Sequence, residues 1–395
     1  MNAPPRAKWL NRTVFAIGFA SLFSDVGHEM ATAAMPAFLA SLGASSAALG
    51  VIEGLSDGVA SFAKLLSGAY SDRLHRRKPL AAAGYFMTAA GMASFAVATQ
   101  TWHVLLGRVF GWLGRGARGP VRNVLLTEAT TKETYGRAFG LERSMDSAGA
   151  IVGPLLSVAF VASLGPRVTF GLTLIPGLIA AFLITILVNE KPHEPKPRRY
   201  LFDGARELPA TFRRFLVGVG VAGLGDFSNT LLILFATQAW TPRLGVTRAA
   251  TLAMAFYVGY NVVYTISCSV AGALADRFPK HHVLAFGYAL AVVPATALLV
   301  PGDSFIKFVV VFGVSGLYMG FWETVESTTA ASYLPDHVRG TGFGVLATVN
   351  GAGDLASSII VGGLWALHPV AAMGFVIATT LIGSIVIAST RPATP

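Results

Sequence analysis

The sequence predicts an all-α membrane protein: twelve transmembrane helices arranged as two pseudo-symmetric six-helix bundles. Three observations predict it. The 395-residue chain is 53% hydrophobic and only 13% charged, with a mean hydropathy of +0.60. Soluble domains carry about 25% charged residues, so this much apolar surface needs a bilayer as its solvent. Twelve segments carry the roughly 20 mostly apolar residues that a crossing helix requires. A charged hairpin also occurs twice. Gly68-Ala-Tyr-Ser-Asp72-Arg73-Leu-His-Arg76-Arg77-Lys78 returns as Gly272-Ala-Leu-Ala-Asp276-Arg277-Phe-Pro-Lys280, 204 positions later.

The segments fall near 13–41, 47–70, 79–99, 101–127, 138–163, 168–189, 213–240, 248–272, 282–300, 304–332, 340–366 and 369–389. Short gaps rich in Gly, Pro and charge separate them. The first follows Arg6, Lys8 and Arg12, as a signal peptide would. Its apolar run outlasts the roughly 7–15 residues of a signal core and holds Asp25, His28 and Glu29, so it reads as a retained helix. The second and the eighth each end at a copy of the hairpin. The fifth opens on Gly136-Arg-Ala-Phe139-Gly140-Leu141, and the eleventh on Gly340-Thr-Gly-Phe343-Gly344-Val345, again 204 residues on. Between the sixth and seventh, Glu190 to Phe212 holds Lys191-Pro192-His193-Glu194-Pro195-Lys196-Pro197-Arg198-Arg199, where proline and like charge favour a linker. The expected domains are 1–189, a linker at 190–212, and 213–395.

The net charge is +10. On a soluble chain this would suggest nucleic acid, but here position matters more than sum. With both termini in the cytoplasm, that side holds 20 Lys and Arg, the opposite side 4, and the spans the remaining 6. The positive-inside rule fixes that orientation and excludes nucleic acid as the partner. Cys268 is the only cysteine, so no intrachain disulfide forms.

Sixteen ionisable residues lie within the spans, and such residues usually face the bundle interior and mark pathways. The acids are Asp25, Glu29, Glu53, Asp57, Glu142, Asp146, Asp226, Glu323, Glu326 and Asp354; the bases are Lys64, Arg108, Arg115, Arg118, Arg122 and Arg143. Spans 3, 6, 9 and 12 hold none, which marks them as a lipid-facing scaffold. Asp25, His28 and Glu29 share one helix face, as do Arg108, Arg115, Arg118 and Arg122. The arginines either neutralise nearby acids or bind an anionic substrate group. The second half has four acids and no base within its spans, so Asp226, Glu323, Glu326 and Asp354 are candidates for a proton, a metal ion or a cationic substrate. His28 beside Asp25 and Glu29 reads as a polar cavity residue or a ligand. Tyr257, Tyr260, Asn261 and Tyr264 read as cavity lining or helix packing.

These residues resemble the major facilitator superfamily, whose loop signature between spans 2 and 3 is G-x-x-x-D-R-x-G-R-R. Gly68, Asp72, Arg73, Arg76 and Arg77 match it, and His75 departs from the usual glycine. Gly272, Asp276 and Arg277 match in the second copy. The resemblance implies the major facilitator fold and a cytoplasmic latch at the hairpin, its Asp near a helix terminus of the other half. Gly149, Gly153 and Pro154 resemble the core of the family's antiporter signature, with Ser157 and Val158 in place of its closing glycines. Simple helix packing explains those glycines as well.

The resemblance implies a secondary active transporter working by alternating access, with proton-coupled export of a drug-like or cationic molecule as the first expectation. A divalent-metal or organic-anion exporter is the alternative, and a non-transporting membrane receptor the alternative of another class. No nucleophile, base and oxyanion set stands out, so no enzyme is expected. Substrate and proton contacts are expected at Asp25, His28, Glu29, Glu53, Asp57, Arg118, Asp146, Asp226, Glu323 and Glu326. Gating is expected at Gly68, Asp72, Arg73, Arg76, Arg77, Asp276 and Arg277. The expected partners are a small-molecule substrate, a proton and the lipid bilayer. The expected state is a monomer in the inner membrane, without a cofactor or resident metal.

Overall fold

The computed structural model describes residues 9–44, 46–192, 194–195, 203–226 and 229–390. Those residues form helices and connecting turns, with no strand among them. They divide into two compact units. Unit 1 comprises 1–208 with 334–348, and unit 2 comprises 209–333 with 349–395. The expected linker at 190–212 contains one described helical turn, α8 (Asp203–Arg206); His193 and 196–202 lie outside the described residues.

Unit 1 is built from α1 (Arg12–Ser41), α2 (Ser46–Ser71), α3 (Lys78–Ala93), α4 (Thr101–Glu128), α5 (Tyr135–Leu164), α6 (Pro166–Leu172) and α7 (Leu174–Leu187). The Asn11 side chain caps α1, accepting from the amides of Thr13 and Val14 at 3.0 and 3.1 Å. Its Nδ2 donates to the Ala129 carbonyl at 2.7 Å, which ties the start of α1 to the end of α4. Helix α1 packs on α5 and α7, α4 on α2 and α3, and α3 on α7. One apolar core lies among Met35, Phe38, Phe95, Trp112 and Phe170, with Phe170 meeting Phe38 and Phe95 edge-on.

Unit 2 repeats the plan with α9 (Ala210–Gly223), α10 (Asn229–Leu244), α11 (Val246–Arg277), α12 (Lys280–Ala289), α13 (Val292–Leu299), α14 (Phe305–Tyr333), the later part of α15 (Arg339–Leu367) and α16 (Pro369–Ala388). Helix α14 packs on α11 and α12, as α4 does on α2 and α3. Helix α16 packs on α9 and α12, as α7 does on α1 and α3. The 204-residue offset survives at the level of single contacts. A Cβ built on Gly116 would come within 2.8 Å of Ala63 Cβ; one built on Gly320 would come within 2.9 Å of Ser267 Cβ. Both pairs sit 204 residues apart, so the same glycine in each half lets two helices touch backbone to backbone.

Several spans are broken where the sequence suggests continuous helices. The sixth breaks at Thr173 and the ninth at Leu290–Ala291. Pro176 and Pro294 each follow such a break, and a proline denies the residue four positions back its amide partner. The third ends in a 3₁₀ turn at Ser94–Val97, and the seventh is interrupted after Gly223. Among the described residues, eight helical stretches are long and apolar enough to cross a membrane, including Tyr135–Leu164, Pro166–Leu187 and Pro369–Ala388. The scaffold spans carry exposed apolar side chains, including Phe86, Phe182, Phe286 and Ile385, as lipid-facing helices require.

Candidate functional site

The polar site of unit 1 is assembled on the stripe of α4. Arg115 and Arg118 hold Asp25 at 3.1 and 3.5 Å, and Asp25 is 4% exposed. Two turns away, Arg108 pairs with Glu53 at 2.6 Å and donates to Thr32 Oγ1 at 3.2 Å. At the other end, Arg122 meets Glu142 at 2.7 Å and Asp146 at 3.7 Å, and donates to Ser21, whose hydroxyl donates in turn to Glu142. Arg118 lies over the Tyr85 ring at 4.2 Å and donates to Ser24. Of the two readings of the stripe, the structure displays internal neutralisation: Arg108, Arg115, Arg118 and Arg122 all face acids of the same unit. Such pairs relieve the cost of burying charge.

The remaining predicted acids lie at the edge of this network. Asp57 is exposed and its Oδ1 accepts from the Trp112 indole at 2.7 Å. Glu29 is 26% exposed and lies 3.5 Å from His28 Nε2. The His28 ring rests against Trp112 at 4.5 Å, and Arg108 covers the Trp112 ring at 3.9 Å. No group of three His, Cys, Asp or Glu with metal-holding geometry occurs among the described residues. In this unit Trp112 was not singled out from the sequence. It sits at the i+4 position from Arg108 and three before Arg115, on the face already picked out by charge.

The antiporter-like glycines lie directly behind these acids. A Cβ on Gly149 would stand 2.9 Å from Asp25 Cβ, and one on Gly153 would stand 2.7 Å from Glu29 Cβ. Ser157, where the signature has glycine, donates to the Met30 carbonyl at 2.9 Å. Pro154 lies inside α5 between them. The motif thus seats α5 against the turn of α1 that bears both acids.

The first hairpin is a compact buried knot. Asp72 accepts from the Gly340 amide at 2.9 Å, the Thr341 amide at 2.8 Å and the Thr341 hydroxyl at 2.6 Å. These donors belong to the first turn of α15, where backbone amides lack helical partners and the dipole favours an anion. Burial pushes the Asp72 carboxyl above its usual range; the Thr341 hydroxyl, the two amides and Arg77 pull back against it. Arg77 is fully buried, pairs with Glu128, lies 3.9 Å from Asp72 and donates to the Ser71 carbonyl at 3.1 Å. Glu190 accepts from the amides of Arg77 and Lys78, which start α3. Gly68 is required because a Cβ there would fall within 2.9 Å of Gly344 Cα. Arg73 is half-buried and Arg76 exposed, so among the predicted hairpin bases Arg77 forms the knot. In the second copy Asp276 is half-buried and Arg277 exposed.

The acids of unit 2 are held differently. Glu326, 3% exposed, accepts from Tyr288 Oη at 2.7 Å, Trp322 Nε1 at 2.8 Å and Asn350 Nδ2 at 2.6 Å. Tyr264 donates to Glu323. Asp226 hydrogen-bonds Tyr318, and both line a cavity of about 30 Å³ with Tyr260 and Ser315. The Asp226 carbonyl accepts from Ser357, and Asp354 is exposed. Tyr288 and Trp322 were not singled out from the sequence, although Trp322 lies one turn before Glu326.

The comparisons with known proteins agree on one family. A model described as Major Facilitator Superfamily matches residues 17–358. An uncharacterized MFS-type transporter of Methanocaldococcus jannaschii is 27% identical over 377 residues, covering 91% of this chain and 90% of that one. The multidrug resistance protein MdtH of Cronobacter sakazakii is 35% identical over 119 residues, 30% of this chain and 29% of its own length. Among solved structures, the Escherichia coli fucose:proton symporter FucP superposes with a TM-score of 0.76 at 16% identity, over 96% of this chain and 98% of that one. A bacterial homologue of the iron transporter ferroportin, in an outward-facing state, superposes with a TM-score of 0.74 at 16% identity, over 97% and 100%.

Proposed function

Because the chain belongs to the Major Facilitator Superfamily, we propose that it is a secondary active transporter working by alternating access, and that it exports a small molecule in exchange for protons. The single observation that carries this reading is the seating of Gly149 and Gly153 on the turn bearing Asp25 and Glu29. The glycines of an antiporter-like motif thereby set the position of two membrane-embedded acids. An acid that binds either a proton or a cationic substrate, never both, couples the two movements in opposite directions. The segmental likeness to a multidrug resistance protein supports a drug-like substrate.

In this reading Asp25, His28, Glu29, Glu53, Asp57, Arg118 and Asp146 line the path in unit 1, and Asp226, Glu323 and Glu326 line it in unit 2. Gly68, Asp72, Arg73, Arg76 and Arg77, with Asp276 and Arg277, form the cytoplasmic gate. The three hydrogen bonds from α15 to Asp72 support that role, since they bind a hairpin of the first half to a helix start from the second. The protein works as a monomer in the inner membrane with both termini in the cytoplasm.

The test is reconstitution of the full chain in liposomes loaded with a pH-sensitive dye, with ethidium as the first cationic probe. Ethidium movement should be driven by an imposed pH gradient and accompanied by proton movement in the opposite direction. Asp25→Asn should remove the proton signal. Flux that neither responds to the gradient nor moves protons would sink the exchange reading.

A further inference from the structure

The 204-residue repeat pairs Arg122 with Glu326 and Asp146 with Asn350. Within each unit the two positions touch each other. In unit 1 Arg122 lies 3.7 Å from Asp146 and 2.7 Å from Glu142. In unit 2 Asn350 donates to Glu326 at 2.6 Å. One position in the repeat therefore carries a closed ion pair in one half and a carboxyl among neutral partners in the other. We propose that Glu326 is a second exchangeable-proton site, beside the Asp25 site of the exchange reading, and that Arg122 with its two acids is its fixed-charge counterpart. The proposal deepens the proton-exchange reading given above and rests on it for its role in transport.

Chemistry separates the two sites. A guanidinium only donates and keeps its charge, so Arg122 holds Glu142 and Asp146 in one state. The partners of Glu326 are of another kind. A tyrosine hydroxyl and a primary amide both donate and accept, while an indole only donates. With Glu326 ionised, Tyr288, Trp322 and Asn350 all donate to it. With Glu326 protonated on Oε1, the acid hydrogen donates to Asn350 Oδ1 after the amide turns over, and Oε2 keeps Tyr288 and Trp322. No hydrogen bond is lost in either state. The titratable groups facing it are Glu323 and, two turns back on its own helix, Tyr318, with Tyr288 from α12 and Asp226. None is basic, and Glu326 makes no ion pair among the described residues. At 3% exposure the carboxyl is shielded from solvent, and both its oxygens already accept from neutral donors.

The test is infrared difference spectroscopy of the full chain in liposomes during a pH titration, read at the carbonyl stretch of protonated carboxyls. Glu326→Gln should lose one such band, and Glu323→Gln should keep it. Tyr288→Phe, which removes one hydrogen bond to Oε2, should move that band to higher wavenumber. The proposal is overturned if Glu326→Gln leaves the bands unchanged. If that variant does not fold, an unmoved band in Tyr288→Phe overturns it. Absence of proton movement in the wild-type flux assay would sink the exchange reading, while the infrared result decides Glu326 by itself.

Discussion

Replacing Asp72 with Ala removes the acceptor on which the start of α15 is docked. Two backbone amides and one hydroxyl lose their partner at a site where Asp72 is 1% exposed. The Thr341 hydroxyl can rotate toward another acceptor, so the two amides dominate. Each stranded buried donor costs about 1–3 kcal/mol. Loss of a carboxyl that burial already disfavours offsets part of this, leaving about 3 kcal/mol. At 1.36 kcal/mol per decade, the docked segment should open about a hundredfold more often. Hydrogen exchange on peptides covering Gly340 to Gly344 reads that opening directly. Asp72→Asn, which keeps one acceptor oxygen, should fall between Ala and wild type. Exchange in Asp72→Ala that matches wild type would refute the reasoning, because the amides would then owe their protection to helix packing alone.

Further outcomes follow from the same geometry. Below the ordinary carboxylate range both docked and free Asp72 are protonated, and the docked form holds its proton more tightly. Its titration therefore favours docking at low pH, and that contribution is lost as pH rises through the raised value. Protection of the same peptides, corrected for intrinsic exchange, should fall across that window in wild type and stay flat in Asp72→Ala. Arg122→Leu leaves Glu142, which is fully buried, without its main counter-charge, and should lower stability by about 3–5 kcal/mol. The double variant Arg122→Leu/Glu142→Leu should recover most of that loss in thermal unfolding. Gly153→Ala drives a methyl into Glu29 Cβ and the Val26 carbonyl. It should cost about 1–3 kcal/mol and reduce flux further by displacing Glu29.

Much of the fold was legible because hydrocarbon imposes simple demands. Span lengths, the central divide and the 204-residue echo follow from hydropathy and from glycines that permit close approach. The breaks at Thr173 and Leu290 were less visible, since Pro36, Pro120 and Pro154 sit inside helices that continue. A proline alone does not say whether neighbouring packing will hold the helix together. At the site, the arginine stripe and its acids were legible because charge is rare in a membrane and helical spacing groups it. Their neutral partners were not. Tyr288, Trp322 and Trp112 look like ordinary apolar bulk in sequence, and only their placement shows a hydroxyl or indole turned toward a carboxyl. Arg77 was one of three hairpin arginines of equal appearance; burial beside Glu128 distinguishes it from exposed Arg76.

Residues 334–348 belong to unit 1, although 125 residues of unit 2 precede them in the chain. During synthesis the first six spans leave the ribosome long before the segment that satisfies Asp72. Until then the hairpin carboxyl and Gly68 face a vacant seat. Assembly of the first half is thus tied to the arrival of the eleventh span, and the bilayer must hold an incomplete bundle while the second half is made. A chain cut after the central linker lacks that seat's occupant, and adding 334–348 on a separate fragment is the direct way to restore it.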